Sequence, residues 1–417
     1  MNQADPESKP VSSLDAELLD ELALLESRSL LRRRRRVVGA QGPRLELDGK
    51  SVLCLSSNNY LGLANDTRVV EASISALLTD GASAASSPLI SGHMAAHAEL
   101  ETLLADWVGS EAALVFGSGY HANIGTIAAL MGPKDAIFSD ALNHASLIDG
   151  CRLARATLRV YRHRDAAHLE ELLIATPARR RLIVTDSIFS MDGDAAPLDE
   201  ILEVAERRSA HVMIDEAHAM GVFGDEGAGL ATALGLGSRL AVRMGTLGKG
   251  LGSYGAFVAG SRALIDVLVN RARAYVFSTA LPPAVVAAAT AAIGIARQER
   301  ERRAQLWANA RALHGTLAAA GLDVLPFSSP IVALILGGAE QALAVSARML
   351  EDGVFSPAIR PPTVPEGTAR IRLTPLATHS AEELTRAGQV IVAAVRATTP
   401  RGDGALATHR RGAGGHS

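Results

Sequence analysis

HVMIDEAHAMG, residues 211 to 221, runs an apolar stretch directly into an aspartate, a glutamate and a histidine. A strand buried on both faces of a parallel sheet reads as an unbroken apolar run, whereas a half-exposed strand alternates. Runs of the same kind recur along the chain as AALVFGS, AIFSD, LIVTDSIF, LAVRMGTL and GAFVAGS, separated by stretches of helical period. That alternation predicts an α/β fold with a large, mostly parallel central sheet flanked by helices. Four segments are expected: an N-terminal helix with short strands over 1–65, the large α/β domain over 66–280, a linking helix with a smaller C-terminal α+β domain over 281–396, and a disordered tail over 397–417. The run AVVAAATAAIGIA (284–296) reads as a buried helix, being too short for the ~18 apolar residues of a membrane span.

The chain has 417 residues, of which 48% are hydrophobic and 20% charged, with a formal net charge of −3. That balance gives no electrostatic reason to expect nucleic acid or a membrane surface as partner. Arg32 to Arg36 form a locally basic run, whose plain reading is the solvated end of the helix suggested by LDAELLDELALLESRSLL. Cys54 and Cys151 are too few for a disulfide framework and lack metal-ligand spacing, so a reducing, cytoplasmic setting and no metal are expected. The polar N-terminus carries no signal-peptide pattern.

In open parallel sheets, ligands bind at the carboxyl ends of the strands. Polar residues follow the apolar runs at those ends: Asp140, Asn143 and His144; Ser187 and Ser190; Asp215 and His218; Thr246 and Lys249. Lysine is scarce here, since only Lys9, Lys50, Lys134 and Lys249 interrupt an otherwise arginine-based supply of 41 basic residues. An amine, a carboxylate, two imidazoles and hydroxyls near glycines match the needs of pyridoxal phosphate: a Schiff base, a protonated ring nitrogen, contacts to the ring, and a phosphate site. The phosphate is expected at Ser118-Gly119-Tyr120, where strand gives way to helix and free N–H groups meet an anion.

Two other motifs fail on context. Gly250-Leu251-Gly252-Ser253-Tyr254-Gly255 spells a dinucleotide fingerprint, but a strand rather than a helix follows it. Asp215-Glu216-Ala217-His218 spells a helicase box, yet Gly248-Lys249 is followed by Gly250 where a magnesium-binding hydroxyl is needed.

The motifs SNNYLGL (57–63), FGSGYHAN (116–123), NHAS (143–146), SIFSMDGDAAPLDEI (187–201), IDEAHAMGVFGDEGAG (214–229), TLGKGLGSYGA (246–256) and FSTALPP (277–283) resemble, in order, the α-oxoamine synthases, which are fold-type I pyridoxal-phosphate-dependent transferases. The resemblance spans roughly residues 30 to 396. It implies that Lys249 carries the cofactor and moves the substrate Cα proton, that Asp215 pairs with the pyridine nitrogen, and that His218 meets the phenolic oxygen. His144 would stack on the ring and face the substrate, with Gly119, Tyr120, Ser190 and Thr246 at the cofactor. Ser278 and Thr279 would reach the phosphate of a partner subunit, implying a homodimer with a shared active site. Arg372, Asn58 and Thr363 would contact substrate, with Arg372 gripping a carboxylate.

Within the family, AIRPPTVPEGTARIRLT (358–374) is most similar to members that join L-alanine to a pimeloyl thioester, carried by coenzyme A or an acyl carrier protein. Members condensing glycine or serine with other thioesters are the alternative. An N-terminal arginine of the family reaches the acyl substrate; counting back from GAQG selects Arg34, with Arg32 and Arg33 one small shift away. Ser87-Pro88-Leu89 departs from the family's usual loop near the substrate and leaves acyl and amino-acid specificity open. An aminotransferase and a non-enzymatic binding protein are the rivals outside the family.

Overall fold

The computed structural model describes residues 12–398. Among these, the largest sheet has seven strands in the order Ala112–Phe116, Ala256–Gly260, Val242–Thr246, His211–Asp215, Arg181–Asp186, Ala136–Asp140, Thr157–Tyr161. All run parallel except Ala256–Gly260, which is antiparallel to both neighbours. The expected large, mostly parallel sheet is therefore present. Successive side chains leave a strand on opposite faces, and the core divides accordingly: Phe138, Ile183, Ile214 and Phe257 pack on one side, and Ile137, Leu182, Met213 and Val258 on the other. Thr157–Tyr161 is missing from the apolar runs quoted above because it lies at the sheet edge, where Arg159 and Val160 are exposed.

The expected short N-terminal strands form a hairpin around an Asp-Gly turn. Arg44–Leu47 and Lys50–Cys54 pair antiparallel around Asp48 and Gly49, whose φ values of 51° and 80° match the left-handed pair a tight hairpin uses. This hairpin does not stand apart as an N-terminal unit. Val354–Phe355 adds to it in parallel, and Leu53 and Leu55 share a core with Leu334, Ile371 and Ile391. The hairpin is thus built into the C-terminal unit, whose own antiparallel sheet runs Val332–Gly337, Ala369–Leu373, Ala358–Ile359. Pro283–Gln298 is the expected buried helix, with Val286, Ala289, Ala292 and Ile293 inside the main core.

Ser13–Ser27 is helical and capped by Ser12, and every one of its side chains is exposed. The arginine run is not its end. Ser29 takes φ 56°, a left-handed turn that stops the helix, and residues 32–36 continue without helical structure in solvent. At the other terminus, residues 397 and 398 close the helix Ala381–Thr398, and the remainder of the expected tail lies outside the described residues. No described helix is long and apolar enough to cross a membrane.

Candidate active site

Four strands end on polar side chains at one edge of the sheet, at Asp140, Asp186, Asp215 and Thr246. Asp215 is buried and held by two donors: Asn123 Nδ2 at 2.8 Å and the Ala217 backbone N–H at 2.8 Å. The tight turn after it returns His218 to the same edge, where Lys249 arrives from the loop between Val242–Thr246 and Ala256–Gly260. Lys249 Nζ lies 2.9 Å from His218 Nε2, and His218 Nδ1 lies 2.7 Å from the Tyr60 hydroxyl. Arg372 donates to that hydroxyl from Nη2 at 3.2 Å, to Asn58 Oδ1 from Nη1 at 3.0 Å, and to the Ser190 carbonyl from Nε. One chain of polar contacts therefore joins Lys249 to Arg372.

The electrostatics favour a neutral interior. Burial lowers the Lys249 amine to about 8, against the pull of Asp215 and Asp186, so a free base is within reach near neutral pH. Burial and then the charge of Lys249 hold His218 well below the usual imidazole range. Tyr60 is raised by burial, with Arg372 opposing. Asp186 is raised well above the carboxylate range by burial and by the facing Asp215.

His144 stands over the same edge on two supports. Its backbone N–H donates to Asp186 Oδ2 at 2.7 Å, and its Nδ1 meets Ser146 Oγ at 2.7 Å. Ser146 Oγ in turn accepts from Asn123 Nδ2 at 2.8 Å, so a single buried amide orients both Asp215 and the serine beneath His144. Asn143, named above beside His144, serves the sheet instead: it donates to Ser139 Oγ and the Val184 carbonyl and accepts from Asp186 N–H.

Ser118 caps the helix Gly119–Leu130 through its hydroxyl, accepting from His121 N–H at 3.2 Å. The Gly119 and Tyr120 N–H groups meet no acceptor among the described residues, as the first turn of a helix leaves them. A phosphate fits that cradle, a ring nitrogen fits Asp215, and an aldehyde fits the depressed amine of Lys249. The residues present thus suit pyridoxal phosphate. Thr246 Oγ1 at present bonds the Gly255 carbonyl and the Gly248 N–H. Tyr120 points its hydroxyl to Asp149 at 2.6 Å.

Other expected residues lie farther out. Ser278 and Thr279 line a cavity with Gly117, His97 and Tyr275 that Lys249 does not line. Thr363 lines a second cavity with Phe189, Met191, Pro361 and Arg370, and its Oγ1 accepts from Arg32 at 3.2 Å. Within the arginine run it is thus Arg32, rather than the expected Arg34, that bonds Thr363. Pro88–Gly92 forms a single π-helical turn, and the loop before it is tied to the 277–283 segment by Ala280 N–H on the Ser86 carbonyl at 3.0 Å.

Two glycines beside Lys249 are required by the protein's own backbone. A Cβ on Gly250 would come within 2.4 Å of the Met220 carbonyl, and one on Gly252, at φ 63°, within 2.2 Å of the Ala64 nitrogen. They let the lysine loop press on the protein's own backbone. Four residues were missed: Tyr60, Asn123, Ser146 and Asp186. Each lay inside a quoted motif or beside it, but its role depends on a partner far along the chain.

A family model for aminotransferase class I and II matches residues 50–391. The chain is 51% identical to the 8-amino-7-oxononanoate synthase of Anaeromyxobacter dehalogenans (strain 2CP-1 / ATCC BAA-258), over 87% of this chain and 92% of that one. It is 49% identical to the protein of the same name from Geobacter metallireducens, over 90% and 96%. Among solved structures, serine palmitoyltransferase from S. paucimobilis with a bound PLP–myriocin aldimine is similar at a TM-score of 0.88 and 34% identity, covering 94% of this chain and 99% of that one. The 8-amino-7-oxononanoate synthase of Francisella tularensis follows at 0.72 and 25%, covering 83% and 98%. With half of its residues shared across most of its length and the same fold beneath them, this chain belongs to the α-oxoamine synthases, pyridoxal-phosphate-dependent acyltransferases of fold type I.

Proposed function

We propose that the chain condenses L-alanine with a pimeloyl thioester, releasing carbon dioxide and free thiol and forming 8-amino-7-oxononanoate for biotin synthesis. The observation that supports this is the contact chain Arg372–Tyr60–His218–Lys249, which joins a guanidinium suited to a carboxylate to an amine suited to accept a proton. The names of relatives near half identity supply the choice of substrates.

Asp215, His218, His144, Gly119, Tyr120, Ser190 and Thr246 would hold the cofactor, which when bound supplies an electron sink for charge developing at the amino-acid Cα. Arg372, with Asn58 beside it, holds the alanine carboxylate through paired N–H donors. Lys249 takes the Cα proton and later returns one, a task that a permanently charged arginine could not perform. The acyl chain enters beside Thr363, where Leu142, Phe189, Met191 and Pro361 offer apolar walls, and the arginines at 32 and 34 meet its anionic end or its carrier.

The chain acts as a homodimer in the cytoplasm on this reading. Ser278 and Thr279 then serve the partner's phosphate, and Phe277, 71% exposed in the single chain, is covered. Coenzyme A and an acyl carrier protein are both suitable thioester carriers.

A second reading, condensation of serine or glycine with a longer acyl thioester, is favoured by the serine palmitoyltransferase neighbours. Thiol and carbon dioxide release should be measured for alanine, serine and glycine against pimeloyl and palmitoyl thioesters. Preference for alanine with pimeloyl supports the first reading, and preference for serine with palmitoyl replaces it.

A further inference from the structure

His163 follows the edge strand Thr157–Tyr161 and lies outside the contact chain just described. Its Nδ1 is 2.9 Å from Asp140 Oδ1 and its Nε2 is 3.0 Å from Asp194 Oδ2. With a carboxylate on each ring nitrogen, both nitrogens act as donors, which requires the imidazolium form. The ring also stands edge-on to Phe189, with centroids 4.4 Å apart.

Asp140 through its carboxylate and Asp194 through its backbone each hold a turn that reaches the active site. Asp140 accepts the backbone N–H groups of Leu142 and Arg164 at 2.9 Å, shaping the turn that leads to His144. Asp194 closes the turn 189–194, where Phe189 N–H meets the Asp194 carbonyl at 2.9 Å and Gly193 N–H meets the Phe189 carbonyl at 2.8 Å. On that turn sit the Ser190 carbonyl, which accepts from Arg372, and the Asp192 carboxylate, which pairs with Arg370.

We propose that His163 is a positioning residue for substrate carboxylate binding: as an imidazolium clamped between Asp140 and Asp194, it fixes the turn against which Arg372 is held. The inference rests on the reading of Arg372 as the carboxylate-binding residue. Other charged groups around the ring are Arg164, which donates to Asp194 from Nη1 at 3.2 Å, and the Asp192–Arg370 pair. His163, Asp192 and Asp194 offer ligand atoms within 4.8 Å of one another, as a cation site would, but the imidazolium and two guanidinium groups already supply positive charge there. Burial opposes charge on His163, yet hydrogen bonds and charge from Asp140 and Asp194 outweigh it and raise the imidazole to about 9.

The test compares His163→Gln, Asp194→Asn and Arg372→Lys in the full-length holoenzyme. Both kcat and the half-saturating alanine concentration are measured, with thermal melting and bound-cofactor absorbance as controls. The expected result is a rise of about tenfold in half-saturating alanine for His163→Gln and for Asp194→Asn, with kcat within about twofold of the parent. Side-chain nitrogen NMR of the parent at pH 7.5 should show one imidazole protonated on both nitrogens, absent from His163→Gln. If Arg372→Lys raises the alanine requirement and neither of the other variants does, the role of His163 is overturned alone. If Arg372→Lys leaves it unchanged, the reading of the carboxylate site fails and this inference falls with it. Should His163→Gln fold poorly, the kinetic split in Asp194→Asn decides.

Discussion

Lys249 Nζ and His218 Nε2 meet at 2.9 Å, and burial depresses both groups toward their neutral forms. An amine poised at about 8 can be a nucleophile and a base near neutral pH. Reductive methylation of the protein freed of cofactor should label Lys249 with a midpoint near pH 8, well below that of an ordinary lysine. In the holoenzyme, borohydride should fix cofactor to the chain, and Lys249→Arg should abolish that link; retention of the link would place the Schiff base elsewhere.

Tyr60 is the junction between Arg372 and His218, and its hydroxyl is buried. Tyr60→Phe should leave His218 Nδ1 and one Arg372 N–H without their partner, lowering kcat/KM for alanine about tenfold or more. Steady-state kinetics measure this, with circular dichroism to show that the fold is kept. A change below about twofold would make the hydroxyl a bystander.

Asn123 bonds both Asp215 and Ser146 with one amide. Asn123→Ala should shift the absorbance of bound cofactor and reduce kcat roughly tenfold, while Asp215→Asn should cost roughly a hundredfold or more. The order matters as much as the sizes, because on the proposed reading Asn123 acts on the cofactor through Asp215.

Glu216, next to Asp215 in the chain, forms a buried pair with Arg243 at 2.5 Å, and Arg243 also donates to the Val108 and Ala228 carbonyls at 2.7 and 2.8 Å. Removing one partner leaves a charge buried without its counterion, a loss of about 3–5 kcal/mol. Glu216→Gln and Arg243→Met should both lower the melting temperature by several degrees, whereas the double variant should recover part of the loss. Simple additivity would show that the pair is uncoupled.

The pH dependence of stability follows from His218. Unfolded, it binds a proton near pH 6.5; folded, burial and the Lys249 charge keep it neutral. Below about 6.5 the unfolded state therefore holds more protons, and stability falls as pH falls. Burial lowers His97 and His379 in the same sense. His163 has the opposite sign: its stabilisation is complete below about 6.5 and is lost as pH rises through about 9. Melting temperature should drop between pH 7 and 5.5, less steeply in His218→Gln; an identical slope would assign the titration to other groups.

Much of the site was legible because it is periodic and local. The strand ending in Asp215 and the lysine loop are each written in one contiguous stretch, and parallel-sheet geometry puts strand ends together. Arg159 and Val160 hid the edge strand, since an exposed strand lacks an unbroken apolar run. The arginine run looked helical because nothing in its composition reveals the left-handed turn at Ser29.

By itself, then, the amino-acid sequence determined the α/β class, the order of the strands along the chain, the cofactor chemistry and the family, all of which depend on residue type and short spacing. Tertiary structure alone decided that Arg372 meets Asn58 and Tyr60, that Arg32 meets Thr363, that the N-terminal hairpin takes Val354–Phe355 as its third strand, and that His163 links two turns. Those contacts join residues far apart in the chain, and no local pattern encodes them; they exist only once the core has packed and brought the distant segments within hydrogen-bond reach.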